Sequence, residues 1–252
     1  MLRRLALIAV VAIGLVGIAN AQDPVIYQNT GGPYYYWSDG GTGNWPTIVT
    51  IDDGHFNTAT DVYEITQLSY AVAVPDQDPD NPEPVLPVDF RMVVSLYNGL
   101  PSGSDYSGAT TAANYLGGFS QDWIGVDSKG TKLYASTVNL PSPVYVPGQN
   151  FIVEFACIDP VTGELSSLAS PVLSVGGPTV GTSDDLLFID DDLNGVYEMP
   201  DEAYVWQPDP SNPNYQFSYY LRLRGKATAI PEPATLALLG FGVLPLIRRR
   251  KA

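Results

Sequence analysis

Val88-Asp89-Phe90-Arg91-Met92-Val93-Val94-Ser95-Leu96-Tyr97-Asn98 changes character at every second position. Val88, Phe90, Met92, Val94 and Leu96 fall on one face, with Asp89, Arg91 and Ser95 on the other. Successive side chains of an extended chain point to opposite sides, so this spacing reads as a half-buried β-strand. The pattern returns at Phe151, Val153, Phe155 and Cys157, and at Phe217, Tyr219, Leu221 and Leu223, which oppose Ser218, Tyr220, Arg222 and Arg224. Further strands are expected at Pro46 to Ile51, Tyr63 to Val74, Lys132 to Asn139, Val172 to Val175, Leu186 to Asp190 and Ala203 to Gln207. No stretch between the two ends keeps a 3.6-residue period for three turns. With 24 Gly and 22 Pro punctuating short strands, the expected fold is all-β, an antiparallel β-sandwich of jelly-roll type. Residues 22–225 form the sandwich domain in this reading, and 226–230 a linker. Acidic, proline-rich loops are expected at Asp76 to Pro87 and Pro208 to Pro213.

Composition narrows the partners. The 252 residues are 45% hydrophobic with a net charge of −15, too apolar for a disordered chain and too polar for a polytopic membrane protein. Six of the 12 cations, Arg3, Arg4, Arg248, Arg249, Arg250 and Lys251, sit at the two ends. Residues 22–230 carry 26 acids and six bases, a net −20. Such a body is repelled by nucleic acid and by anionic lipid, which removes both as default partners.

Both ends read as addresses. Arg3 and Arg4 precede the apolar run Leu5 to Ile18, followed by Ala19-Asn20-Ala21. A charged start, a 14-residue apolar run and a small-x-small site make residues 1–21 a secretory signal peptide, for the Sec translocon and signal peptidase, cut after Ala21. Fourteen helical residues reach only about 21 Å of a roughly 30 Å hydrocarbon layer. No Cys follows the apolar run, which excludes a bacterial lipoprotein. At the other end Pro231-Glu232-Pro233-Ala234-Thr235 leads into the nearly continuous apolar run that closes at Ile247, then Arg248-Arg249-Arg250-Lys251. Cations after an apolar run stay cytoplasmic, because carrying them through hydrocarbon is costly. Ala234 to Ile247 is therefore a short transmembrane tail, weakened by Gly240, Gly242 and Pro245. The prolines flanking Glu232 hold the tripeptide extended and open to an enzyme.

That order of Pro-Glu-Pro, short apolar helix and terminal Arg cluster resembles the PEP-CTERM sorting signal of Gram-negative bacteria that make exopolysaccharide. The same signature is also catalogued as the ice-binding protein C-terminal domain. The resemblance covers residues 231–252, with Ile230 where Val is common. It implies that a membrane-embedded transpeptidase, exosortase, cuts at the motif and passes the body to the cell surface or extracellular matrix, in the manner of a GPI signal. The mature chain then lacks a membrane span. Ile51-Asp52-Asp53, Tyr63 to Val74 and Val88 to Asn98 also look like the β-sandwich bodies found ahead of PEP-CTERM tails.

Within the body the sharpest local motif is Asp190-Asp191-Asp192-Leu193-Asn194-Gly195-Val196-Tyr197-Glu198-Met199-Pro200-Asp201. Oxygens at the first, third, fifth, ninth and twelfth positions, with glycine at the sixth, suit calcium. The ligands are then Asp190, Asp192, Asn194, the Val196 carbonyl, Glu198 through water, and Asp201 or Glu202. The pattern resembles EF-hand and dockerin loops but lacks their helices, and an Asn-Gly hairpin dressed with solvated acids reads equally well. Tyr34-Tyr35-Tyr36-Trp37, Trp45, Trp123 and Trp206 offer flat faces for sugar rings, or ordinary strand packing. Cys157, the only cysteine, reads as a buried core thiol, and His55, the only histidine, as a surface or turn residue after Asp52-Asp53-Gly54. No catalytic motif is visible, so no enzyme is expected. The expected function is an exported, exosortase-processed structural protein of the cell surface or polymer matrix. A carbohydrate-binding module and an ice-binding-type adhesin are the alternatives, and no regular threonine ladder supports the latter.

Overall fold

The computed structural model describes residues 22–32, 34–36, 49–58, 61–76, 87–100, 106–184, 186–190, 197, 203–205 and 217–229. In chain order the strands are β1 (Val25–Asn29), β2 (Tyr34–Tyr36), β3 (Val49–His55), β4 (Asp61–Val74), β5 (Val88–Asn98), β6 (Tyr115–Val126) and β7 (Lys132–Pro147). They continue with β8 (Asn150–Ile158), β9 (Ser170–Val175), β10 (Leu186–Asp190), β11 (Ala203–Val205), β12 (Phe217–Tyr219) and β13 (Leu221–Ala229). One short 3-10 turn lies at Tyr106–Gly108. Among the described residues no helix is long and apolar enough to cross a membrane. The signal peptide and the tail lie outside them.

The strands form two antiparallel sheets. One runs β11-β10-β3-β8-β5-β6; the other runs β1-β13-β4-β9-β12, with β2 also on β9 and β7 on the far side of β4. At their centre β2-β9-β4-β7 faces β3-β8-β5-β6, and the chain crosses repeatedly between the two sets. That strand order is a jelly roll, as the strand spacing led us to expect. Strands β10 and β11 extend the second set beyond β3, while β13, flanked by β1, pairs with β4 and β12 pairs with β9.

Side-chain alternation decides what is buried between the sheets. Phe90, Met92, Val94 and Leu96 of β5 meet Phe151, Val153, Phe155 and Cys157 of β8, together with Leu68, Tyr70 and Val72 of β4 and Tyr219, Leu221 and Leu223 of the last two strands. Burying each large apolar side chain contributes roughly 1.5–3 kcal/mol, so the paired faces supply the main drive for folding. The opposite face of β8 is only partly solvated. Ile152 packs there with Ile51, Tyr97, Tyr106, Phe188 and Tyr197 in a second, smaller cluster.

Several elements differ from the sequence reading. Residues 226–229, expected in a linker, are the end of β13 and pair with Asp61 to Glu64 of β4. The strand continues because Gly225 absorbs a register shift: a Cβ there would lie 1.9 Å from the Glu64 carbonyl oxygen. Strand β7 runs on past Asn139 to Pro147, its pairing with β4 skipping from Asn139 to Val144 around Pro141 and Pro143. Prolines are tolerated there because β7 pairs with β4 alone in its sheet. Strands β1 and β6 gave no strong alternation. In β6, Gly117 and Gly118 stand where apolar residues would have marked it, and Gly118 lies so close to the Val94 carbonyl that a Cβ would be 2.3 Å from its oxygen.

Candidate functional site

Strand β3 carries an unusual polar load into the interior. Asp52, Asp53 and His55 are all buried, His55 at 7% exposure. The expectation that His55 sits on a surface turn is therefore corrected. Asp-Asp-Gly is turn-like in composition, but Gly54 is in the strand because the ring of Phe151, its cross-strand neighbour, occupies the space of a side chain: a Cβ would meet that ring at 2.2 Å. With the strand extended, Asp53 and His55 lie two residues apart on one face.

The tertiary fold then adds what neighbours in sequence do not. Thr182 bonds the His55 backbone in both directions, N–H to carbonyl, at 2.7 and 3.0 Å. This places Ser183 and Asp184 over the strand. The Asp53 carboxylate accepts the Ser183 hydroxyl at 3.2 Å and the Asp184 N–H at 2.9 Å. Ser218 of β12 in turn donates to the Ser183 hydroxyl at 2.8 Å. His55 Nε2 stands 2.9 Å from Asp53 Oδ2 and 3.4 Å from Asp184 Oδ1, and neither contact is aligned as a hydrogen bond. Its other nitrogen, Nδ1, is 2.9 Å from Asn150 Oδ1. Asn150 spends its amide N–H on the Leu100 carbonyl at 3.0 Å, which orients the oxygen towards the ring and makes Nδ1 a proton donor to it. The close Asp53 carboxylate, against an opposing desolvation, pushes the His55 pKa up to about 9. Tyr106 is buried, and its hydroxyl pKa is raised by burial and then by the charges of Asp53, Asp184 and Asp52. Asp52 faces the other way and accepts the Tyr219 N–H at 2.7 Å, while the Tyr219 hydroxyl bonds Thr50.

Of the calcium-loop residues, Asp190 is buried at the end of β10, paired with Val49 of β3. Asp192, Asn194, Val196, Glu198 and Asp201 lie outside the described residues. Tyr197, the apolar position of that loop, is buried edge-on to Phe188 with ring centres 6.3 Å apart. Its hydroxyl donates to Glu154 Oε1 at 3.2 Å, and that of Tyr97 to Oε2 at 2.9 Å. Burial outweighs these bonds and raises the Glu154 pKa. Ala19 and Ala21, and the tail residues Pro231, Glu232, Pro233, Ala234 to Ile247 and Arg248 to Lys251, also lie outside the described residues.

The remaining candidates separate into core and surface. Cys157 is buried, as its alternation indicated, and burial pushes its pKa up to about 12. Trp123 stacks on Phe90 with ring centres 5.8 Å apart and donates its indole N–H to the Tyr70 hydroxyl at 3.1 Å, so it is packed rather than presented. Tyr34 is 44% exposed. With Leu133 and Tyr220 it rims a shallow groove of about 220 Å³ floored by Ala71, Ala135 and Val172. Trp37, Trp45 and Trp206 lie outside the described residues.

Sequence reasoning missed Asp184 and Asn150. Asp184 is 131 positions from Asp53 and has no local pattern. The i, i+2 spacing of Asp53 and His55 was the only legible signal. In comparisons with known proteins, the PEP-CTERM protein-sorting motif matches residues 229–251. No curated protein and no solved structure matches the chain.

Proposed function

We propose that this chain, which carries an exosortase sorting signal and is thereby marked for export, serves after processing as a non-catalytic structural protein of the cell surface or extracellular polymer matrix. One observation carries the reading. The sorting motif begins at 229, where β13 ends, so the complete jelly roll lies on the amino-terminal side of the signal. A cut within Pro231-Glu232-Pro233 releases the sandwich with every strand intact. Sec and signal peptidase handle the amino terminus in this scheme, and exopolysaccharide is the matrix the body joins. Calcium held by the loop from Asp190 to Asp201 stabilises the exposed protein, because the crowded acids repel one another without a cation.

The test is mass spectrometry of the carboxyl terminus in cells with and without exosortase. Protein from the exterior is expected to lack Arg248 onward. Replacing Pro231, Glu232 and Pro233 by alanine is expected to leave the full tail attached and the protein in the inner membrane. An intact tail on wild-type exterior protein rules the scheme out. Calorimetry at millimolar calcium tests the loop, where no heat and an unchanged melting temperature under chelation exclude it.

The groove at Tyr34 and Tyr220 favours a second reading, a carbohydrate-binding module. The two rings meet edge to face at 5.7 Å over a floor of small apolar side chains. Such a surface combines flat apolar area with phenolic edges, as sugar rings require. Glycan arrays on wild type and Tyr220→Ala separate the readings: retention lost in the variant supports binding, and no retention by either excludes it.

A further inference from the structure

We propose that Asp53, His55 and Asp184 form a binding site for a divalent transition-metal ion of the zinc class, fastening the Thr182–Asp184 segment to β3. The three side chains each offer one donor atom, and these atoms all lie within 4.8 Å of one another. A tetrahedral site with bonds of about 2.0–2.1 Å separates its donors by roughly 3.3 Å. His55 Nε2 already stands 2.9 and 3.4 Å from the two carboxylate oxygens, so each of these two separations is within a few tenths of an ångström of the value a coordination shell needs.

Three further features fit a metal better than a plain ion pair. Nε2 is buried and aligned with neither oxygen as a hydrogen-bond donor. Nδ1 donates to Asn150, the arrangement by which metal-binding histidines fix their tautomer and turn the other nitrogen's lone pair towards the ion. The Tyr106 hydroxyl is buried within electrostatic reach of the same carboxylates and has no hydrogen-bond partner. The donor set, one imidazole and two carboxylates, selects against calcium, which takes six to eight oxygens. Asp184 reaches the surface, with 31% of its side chain exposed, and supplies the entry route.

The test is titration of zinc chloride into the chelator-treated full chain by calorimetry, in excess calcium so that the loop after Asp190 is saturated. One zinc per chain and a raised melting temperature are expected. Asp184→Asn should weaken the affinity at least about tenfold, since even the outer-shell partners of a bound metal shift affinity by that factor. His55→Gln should abolish it. Because Asp184 is partly exposed, its variant keeps the fold and decides the matter even if the His55 variant does not fold. Absence of saturable binding at micromolar zinc, or binding of equal strength in Asp184→Asn, overturns the site.

Discussion

Gly54 shows how one residue sets a polar cluster. A side chain at this position collides with Phe151, which is itself fixed between Tyr27 and Phe56. Gly54→Ala is therefore expected to cost about 1–3 kcal/mol, the usual range for overpacking a filled core. Chemical denaturation measures it, and an unchanged midpoint counts against the packing account. Glu154 gives a pH signature. Burial raises its pKa, so the folded state holds the proton more tightly than the unfolded chain. The stability it contributes is complete below the ordinary value of 4.5 and declines as pH rises from there through the folded value. Tyr97, Tyr197 and Asp190 are the titratable groups acting on it. Glu154→Gln removes the ionisation. The melting temperature of the variant relative to wild type should rise from pH 4 to pH 8, and a flat or falling difference refutes the assignment. Cys157 should react with a disulfide reagent at least about 100-fold faster in denaturant than in the native state, because a buried thiol whose pKa lies far above neutrality presents little thiolate.

At the scale of elements, β13 is the informative strand. It closes the sandwich against both β1 and β4, and its last four residues extend the sheet to the edge of the sorting motif. A chain ending at Gly225 loses four cross-strand pairs relative to one ending at Ala229. Its melting temperature should fall by about 2–8 °C, taking a loss of roughly 1–2 kcal/mol and about 2–4 °C per kcal/mol for a domain of this size. Equal melting temperatures would mean that the pairing adds nothing. The periodic strands were legible because one face of each is buried: β5, β8 and the run through Tyr219 to Leu223 kept the faces that alternation assigned. Strand β6 was not legible, because much of it is exposed and its glycines serve close backbone approach. Nor was the far half of β7, whose prolines imitate a loop.

For the whole molecule, the sequence by itself determined the all-β class, the buried faces of β5, β8 and the run from Tyr219 to Leu223, the burial of Cys157 and the sorting signal. Each of these is written in local order: a two-residue period, or a motif, an apolar run and a cation cluster in succession. Only the tertiary structure decided which strands are neighbours and what meets at the end of β3. Crossings between sheets bring Asp184 to Asp53 over 131 positions and Asn150 to His55 over 95. Burial at that junction turns a sequence that resembles a solvated turn into a buried imidazole held between two carboxylates. Contacts of such separation arise from strand pairing and packing, which no local pattern of residues encodes.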